Sequence, residues 1–196
     1  MLQTKEKVGF FKKLLFSQAL LKKSHGGKIA YIALTTALAV VVNSLEIKLG
    51  VVQFSLTMFF SAVAGVALGG GAGFCACFLG DAIGFLIHPM GEYSPWIGIS
   101  TGLMALLIAY VCLLPPKDRF ARVKLSLGCV LVFIVCTCGI TTLYLNLVWV
   151  SGMTYFEYLP FSLFVQGQIW NSLANSVFII FGMPPLSKIK QLPIKL

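Results

Sequence analysis

The sequence predicts an all-α membrane protein with six transmembrane helices and both termini in the cytoplasm. Three observations support this fold class. Of the 196 residues, 58% are hydrophobic and 11% are charged, whereas soluble domains carry about 25% charged residues. The chain contains six apolar runs of roughly the length that crosses a bilayer, about 17–25 residues. The fifteen Lys and Arg residues lie between or beyond these runs.

The six predicted spans follow one another with short connections. They are Ile29–Leu45, Val51–Leu68, Ala72–Ile87, Trp96–Leu114, Leu125–Val150 and Phe161–Met183. Glycine and proline separate several of them, since both residue types weaken or end helices. Gly69-Gly70-Gly71 follows the second run, and Pro184-Pro185 follows the sixth. Residues 29–183 therefore form one membrane domain, flanked by basic tails at residues 1–28 and 184–196.

The distribution of cations predicts the orientation. Six spans place both termini on one side of the membrane. If that side is the cytoplasm, it receives fourteen of the fifteen Lys and Arg residues, in the two tails and in the loop Lys117–Lys124. The outside receives only Lys48, together with Glu46, Glu92 and Glu157. The excess of positive charge inside favours this orientation over its reverse.

The N-terminal segment Val8–Leu21 is too short, and too interrupted by lysines, to cross the membrane. Its apolar residues and lysines predict a helix that lies in the inner interface and is retained rather than cleaved. The formal net charge of +9 indicates attraction to anionic lipid and not nucleic-acid binding, because the charges flank apolar runs.

Small residues form a stripe along the first span. Ala30, Ala33 and Ala37 share one helix face, and such a stripe allows another helix to approach closely. The spacing alone leaves two interpretations open, packing inside the bundle and contact with a partner protein, and it favours packing.

Polar and aromatic residues occur in the outer halves of spans three to six. Asp81 is the only acid within a predicted span, so it must face the bundle interior or water, or be protonated. It is equally suited to bind a substrate or coupling ion and to cap a broken helix. Gln168, Asn171 and Asn175 share a face of the sixth span. Amides in hydrocarbon need partners, so they either join helices or line a ligand cavity.

The substrate-binding residues are predicted by their position near the outer boundary. They are Asp81, His88, Glu92, Tyr93, Trp96, Ser100, Asn146, Trp149, Gln168, Asn171 and Asn175.

No motif predicts catalysis or a metal site. The six cysteines all lie in apolar runs, without the spacing of a zinc site, and are best read as small apolar packing residues. The sequence has no phosphate-binding loop, dinucleotide fingerprint or nucleophile elbow. We therefore expect neither an enzyme nor a cofactor in this chain.

Three stretches have a family likeness. The first span reads KIAYIALTTALAVVV, the centre reads FFSAVAGVALGGGAGFCACFLGDAIGFLIHP, and EYSPWIGISTGLMALLIAYV follows. With the Gly80-Asp81 pair and the Pro-Trp start of span four, the chain resembles the substrate-binding S component of energy-coupling factor (ECF) vitamin transporters. The likeness covers nearly the whole membrane region, and the order of motifs is closest to the folate-type branch.

This resemblance implies a function and a set of partners. S components capture a vitamin from outside and dock on a membrane scaffold subunit through the alanine face of the first helix, which here is Ala30, Ala33 and Ala37. Two cytoplasmic ATPases bound to the scaffold use the ATP. The expected location is the plasma membrane of a bacterium.

The chain departs from the folate-type pattern at one point. That pattern has an arginine just after the proline that opens helix six, whereas here Phe161 and Ser162 follow Pro160. A carboxylate ligand usually requires Arg or Lys, so we expect a neutral or weakly cationic heterocycle, folate-like or another micronutrient, rather than folate itself. The alternatives are a stand-alone six-span secondary transporter or channel, with Asp81 as its coupling-ion ligand, and a membrane-embedded enzyme or scaffold.

Overall fold

The computed structural model describes residues 15–45, 47–49, 52–89, 93–113, 120–150 and 152–187. The helices are α1 (Gln18–Leu21), α2 (His25–Ser44), α3 (Thr57–Leu68), α4 (Gly70–Ile87), α5 (Pro95–Leu113), α6 (Ala121–Val132), α7 (Thr142–Trp149), α8 (Tyr155–Pro160) and α9 (Gln168–Ser187). One π-helical segment, Phe133–Thr141, joins α6 to α7, and a second, Phe161–Val165, follows α8. A short antiparallel hairpin, β1 (Ile47–Leu49) and β2 (Val52–Phe54), lies between α2 and α3.

Four helical courses in the described part of the chain are long and apolar enough to cross a membrane. They are α2, α4, α5 and the continuous course Ala121–Val148. Helix α3 is apolar but has only 12 residues, and α9 has 20 residues with several polar side chains in its first half. The predicted number of six spans and the orientation therefore remain predictions.

Two predicted spans are wrong in part. The second was expected to be helical from Val51, but residues 52–54 form a strand and the helix begins at Thr57. The sixth is interrupted at Gln166-Gly167, where Gly167 has a φ of 75°. Its last helix also continues through Pro184 and Pro185 to Ser187, although proline lacks the backbone N–H of a helix interior and usually kinks or ends a helix. The other four spans are shifted at their ends by at most a few residues.

A tight turn at Gly69 joins helices α3 and α4. This residue has a φ of 101°, which favours glycine, and a Cβ there would overlap the backbone of Phe16 and Ser17. The backbone N–H of Ser17 donates to the carbonyl of Leu68 at 2.7 Å, and its hydroxyl donates to that of Ala67 at 2.6 Å. The segment that precedes α2 is thus held against the α3–α4 turn.

The expected interfacial helix at Val8–Leu21 is only partly tested, since residues 8–14 lie outside the described range. In the described part the helix is not continuous: Phe16 and Ser17 are not helical, and the hydroxyl of Ser17 caps the short α1.

The apolar core occupies the half of the bundle on the side of the α3–α4 turn and the start of α6. Its buried side chains include Ile108, Leu125, Val132, Ile179 and Met183. Glycine permits the closest helix approach there, since a Cβ on Gly65 of α3 would overlap the backbone carbonyl of Ala105 on α5. Three free cysteines, Cys112, Cys129 and Cys136, are buried in this core, which agrees with their interpretation as packing residues.

Candidate functional site

The other half of the bundle contains a belt of hydrogen-bonded polar side chains. We define the polar belt as Asn43, Thr57, Asp81, Ser100, Thr101, Thr141, Thr142, Ser162, Gln168, Asn171 and Asn175. These residues come from the last turn of α2, the first of α3, the second half of α4, the early turns of α5 and α9, the two π-helical segments and α7. Since successive helices alternate in direction, all these positions lie at the end of the bundle that carries the β1–β2 hairpin, away from the α3–α4 turn. We call this the hairpin end.

Asp81 joins helices α2 to α5 on one side of the belt. The hydroxyl of Thr57 donates to Asn43 Oδ1 at 2.9 Å, and Asn43 Nδ2 donates to Asp81 Oδ1 at 3.5 Å. The hydroxyl of Thr101 lies 3.4 Å from the same carboxylate oxygen. Helix α4 runs unbroken past Asp81, so this acid does not cap a broken helix. Its half-buried carboxylate faces the bundle interior.

Threonines at the end of the π-helical segment join α5 to α9. The hydroxyls of Ser100 and Thr141 lie 3.1 Å apart. Thr142 donates to the carbonyl of Thr137 at 2.7 Å and lies 3.3 Å from Gln168 Oε1 and 3.4 Å from the Ser162 hydroxyl. The fully buried Thr142 hydroxyl is therefore satisfied within the protein, as polar groups in hydrocarbon must be.

Two asparagines of α9 close the belt against the start of α3. Asn175 is fully buried; its Oδ1 accepts the backbone N–H of Phe59 at 3.1 Å, and its Nδ2 donates to the carbonyl of Ser55 at 2.8 Å. Asn171 Oδ1 accepts the N–H of Ser55 at 3.2 Å. Leu56, at the N-cap position of α3, has no side-chain oxygen, so these amides satisfy backbone groups that the first turn leaves open.

Three tyrosines, Tyr93, Tyr155 and Tyr158, lie at the hairpin end of the bundle. Tyr155 donates to the carbonyl of Cys138 at 2.8 Å, and Tyr158 donates to Gln166 Oε1 at 3.2 Å. Burial, and secondarily the nearby Cys138 thiol, raises the pKa of Tyr155. The Tyr93 hydroxyl is buried and has no hydrogen-bond partner among the described residues. Burial, and secondarily the charge of Asp81, raises the pKa of Tyr93, so the hydroxyl stays protonated at neutral pH.

An exposed acid stabilises the loop at this end. The side chain of Glu157 accepts the backbone N–H of Thr154 at 2.9 Å, in a reciprocal capping box at the start of α8. This hydrogen bond, together with one from the Thr154 side chain, lowers the pKa of Glu157. The carboxylate therefore remains ionised under mildly acidic conditions.

The belt brings together five of the residues predicted to bind substrate. They are Asp81, Ser100, Gln168, Asn171 and Asn175. Asp81, Gln168 and Asn171 are half-buried, whereas Ser100 and Asn175 are buried.

The remaining predicted residues lie elsewhere. Asn146 is buried and donates to the carbonyl of Met153 at 3.1 Å, which fixes the loop after α7. His88 is exposed at the end of α4, and Trp96 is 57% exposed on α5. Tyr93 is half-buried near Asp81, with its ring 5.2 Å from that of Phe85. Glu92 lies outside the described residues, as does the side chain of Trp149.

Several belt residues were not among the predicted site residues. Asn43, Thr57, Thr101 and Ser162 are polar positions near the ends of apolar runs. The available signal is their position in the sequence: each falls near the predicted outer end of one of the six predicted spans. Hydroxyl side chains also occur widely in helix packing, so no single position is distinctive.

The chemistry of the belt suits an uncharged polar ligand. Among its described side chains are amides, hydroxyls and one carboxylate, and none of them is Lys or Arg. The part of the chain that the structure describes also contains no cluster of His, Cys, Asp and Glu able to hold a metal ion. The belt therefore offers hydrogen bonds rather than a cationic site for an anion or a metal centre.

Comparisons with known proteins agree with this description. The sequence matches the family model described as ECF-type riboflavin transporter, S component, over residues 24–191. No curated protein sequence matches the chain. A solved structure described as FolT bound with folic acid has a TM-score of 0.67 and 16% sequence identity, and the match covers 87% of this chain and 96% of that one. At this identity FolT shows a shared fold, and the predicted resemblance to S components is confirmed. The chain belongs to the ECF-type riboflavin transporter S component family and is a membrane-embedded, substrate-binding component of an ECF vitamin transporter.

Proposed function

We propose that this S component captures riboflavin at the polar belt from the outer face of the membrane. Riboflavin is uncharged at neutral pH and combines a flat aromatic ring system with a chain of hydroxyls. Hydrogen bonds to amides and hydroxyls, together with contacts to aromatic side chains, are what such a ligand needs. The single observation that carries the proposal is the hydrogen-bonded belt without a cation, in a chain of the riboflavin transporter family.

Folate suits the same belt less well. Its ionised carboxylates would call for Arg or Lys, and the only charged side chain of the belt is the carboxylate of Asp81. A second negative charge close to Asp81 would be repelled in this partly buried setting. The likeness to FolT concerns the fold, at 16% identity, and leaves the ligand free to differ.

The proposed topology has six spans with both termini in the cytoplasm. Helix α3 is about 18 Å long at 1.5 Å per residue, which is shorter than the hydrocarbon core of about 30 Å. The hairpin and Ser55 complete this crossing, and non-helical backbone is tolerated at such depth where protein groups satisfy it. Asn171 and Asn175 provide those groups. Helix α9 and the preceding π-helical segment form the sixth span.

The docking face proposed for the scaffold subunit is the alanine stripe of α2. Ala30, Ala33 and Ala37 are exposed in the isolated chain, so the bundle itself does not cover them. Ala33 and Ala37 border a groove of about 640 Å³ that Leu79 and Ile83 of α4 complete. A helix of the scaffold fits such a surface because small residues permit close approach. Two cytoplasmic ATPases on that scaffold hydrolyse ATP, and this chain only carries the cargo.

A binding titration tests the ligand. The purified chain in mild detergent is expected to quench riboflavin fluorescence in a saturable way, and an excess of folate is expected not to displace the riboflavin. Saturable folate binding without riboflavin binding would contradict the proposal.

Reconstitution tests the transport role. Vesicles that contain this chain alone are expected to take up no riboflavin under a proton or sodium gradient, whereas vesicles with the scaffold and ATPases are expected to take it up with ATP. Gradient-driven uptake by the chain alone would instead indicate a secondary transporter.

Cysteine labelling tests the orientation. Labelling, from outside intact cells, of cysteines introduced in the loop at residues 117–119 would contradict the proposed orientation.

A further inference from the structure

A crevice lies between the helical course that contains α6 and helix α9. It has a volume of about 310 Å³, and its walls are formed by Ser126, Cys129, Phe133, Ile169, Ser176 and Ile180. It opens sideways between the exposed residues Val130 and Leu173, which are 53% and 52% exposed. Neither the belt nor the proposed docking face uses this crevice.

The walls of the crevice are mostly apolar, although three serines, Ser126, Ser172 and Ser176, line them. The hydroxyl of Ser126 donates to the carbonyl of Arg122 at 3.0 Å, and that of Ser176 donates to the carbonyl of Ser172 at 2.7 Å. Both hydroxyls are therefore engaged by the backbone of their own helix, as serines in helices commonly are. The crevice favours a hydrocarbon chain over a polar ligand.

A cation stands at the end of the crevice nearest the start of α6. The guanidinium carbon of Arg122 lies 5.9 Å from the ring centroid of Phe181 on α9, so this side chain extends from α6 towards α9. Arg122 is exposed, and the guanidinium group of arginine carries a positive charge. Its position suits the phosphate of a lipid headgroup, which a guanidinium binds through paired hydrogen bonds.

The crevice and the cation together span about one leaflet. The crevice wall begins at Ser126, one turn beyond Arg122. From Arg122 to Phe133 the helix rises about 16 Å over eleven steps of 1.5 Å, and half of the hydrocarbon core is about 15 Å thick. The crevice thus lies between the level of Arg122 and the middle of the membrane. With the termini in the cytoplasm, as proposed above, this leaflet is the inner one, which is rich in anionic lipid.

We propose that the crevice between α6 and α9 binds one acyl chain of an anionic inner-leaflet phospholipid, with the headgroup phosphate at Arg122. The acyl chain fills the space between the two helices, and Arg122 selects the negative headgroup. The site is distinct from the polar belt, so it requires no riboflavin.

Native mass spectrometry tests the site. The full chain is reconstituted in bilayers of equal parts phosphatidylglycerol and phosphatidylcholine, extracted in mild detergent and weighed with its retained lipid. Wild type is expected to retain one phosphatidylglycerol, with a preference of about fivefold over phosphatidylcholine for one headgroup cation. Ser176→Phe fills the crevice and should retain none. Val177→Phe, on the neighbouring exposed surface of the same helix, is the matched control and should behave as wild type.

A second pair of variants tests the headgroup. Arg122→Gln should still retain a lipid but lose the preference for phosphatidylglycerol, whereas Lys22→Gln, which removes an exposed cation directly after α1, should keep it. Helix content and elution volume establish that each variant is folded, and Ser176→Leu replaces Ser176→Phe if the larger ring prevents folding.

Three results would overturn the proposal: no lipid retained by wild type, equal retention by Ser176→Phe and Val177→Phe, or an unchanged preference in Arg122→Gln. Crosslinking of Ser126→Cys to the scaffold in the assembled transporter would do the same, because a protein helix would then fill the crevice. Riboflavin titration of the same preparations distinguishes these failures from failure of the proposed function.

Discussion

Asn175 on α9 accepts a hydrogen bond from the backbone N–H of Phe59 on α3 at 3.1 Å, although the two residues are 116 positions apart. The same amide donates to the carbonyl of Ser55 at 2.8 Å. One side chain therefore fixes the start of the shortest apolar helix against the last helix. It also explains how the chain passes from the hairpin into α3 without leaving buried backbone groups open.

Replacement of Asn175 by leucine should destabilise the protein. Leucine has a similar size but leaves the Phe59 N–H and the Ser55 carbonyl without this partner, at about 1–3 kcal/mol for each buried group. We expect the free energy of unfolding to fall by about 2–4 kcal/mol, measured by denaturant unfolding in detergent. Ser176→Ala is the control, since its hydroxyl donates to the carbonyl of Ser172 on its own helix at 2.7 Å; its effect should be within about 0.5 kcal/mol. Equal stability of the two variants would show that the amide is dispensable.

Replacement of Gly65 by alanine should also destabilise the bundle, for a steric reason. A Cβ at this position would overlap the carbonyl group of Ala105, and backbone atoms of a packed helix cannot move aside as a side chain can. Overpacking costs about 1–3 kcal/mol and occasionally more, so we expect at least the upper end, seen as a lower melting temperature. Gly26→Ala, where nothing lies within 4 Å, should leave the melting temperature unchanged or slightly raise it. A Gly65→Ala protein as stable as wild type would mean that α3 and α5 are farther apart.

The sequence predicts the helices better than it predicts the site. Long apolar runs identify α2, α4 and α5 because hydrophobic length is what the bilayer selects. The prediction for the run beginning at Val51 is wrong because β-branched and apolar residues suit a strand and a membrane helix equally. The amides of α9 that hold the start of α3, through Ser55 and Phe59, lie more than 100 positions away. The role of Asn175 depends on a contact across 116 positions, which no local pattern shows. Gln168, Asn171 and Asp81 were accessible to prediction because their polarity is conspicuous in hydrocarbon, whereas Thr101 was not.

Removal of the Gln168 amide should weaken riboflavin binding. Gln168 is half-buried at the belt, and its Oε1 lies 3.3 Å from the Thr142 hydroxyl, so it is positioned to share its amide with a ligand. A lost hydrogen bond of about 1.5 kcal/mol corresponds to about a tenfold higher Kd for Gln168→Ala, measured by quenching of riboflavin fluorescence. The control is Gln18→Ala, which removes the same amide from an exposed position on α1, at the opposite end of the bundle. Its Kd should equal that of wild type. A wild-type Kd in Gln168→Ala would place the ligand away from this side of the belt.

Neutralisation of Asp81 should change ligand selectivity more than affinity. Its carboxylate is the only charge in the belt, so it disfavours ligands with a phosphate or carboxylate. Asp81→Asn keeps the size of the side chain and is expected to narrow the preference for riboflavin over flavin mononucleotide by about tenfold, since the amide no longer repels the phosphate. Competition titrations of both ligands measure this ratio. Glu157→Gln is the control, because it removes an exposed charge from the same end of the bundle and retains an oxygen for the cap at Thr154. If both variants keep the wild-type ratio, Asp81 does not face the ligand.

Bulky residues on the alanine stripe should separate binding from transport. Ala33 and Ala37 are exposed beside the groove between α2 and α4, so tryptophan at both positions would fill the surface that a scaffold helix approaches, without entering the belt. The double variant Ala33→Trp, Ala37→Trp is expected to bind riboflavin with a Kd within about twofold of wild type, less than 0.5 kcal/mol. ATP-driven uptake by the reconstituted transporter should fall to background. The matched control is Leu34→Trp with Leu38→Trp, at the same spacing on another exposed face of α2, and it should transport normally. Normal uptake by the alanine-stripe variant would exclude this face as the docking surface, whereas loss of uptake by both variants would show that α2 tolerates no added bulk on either face.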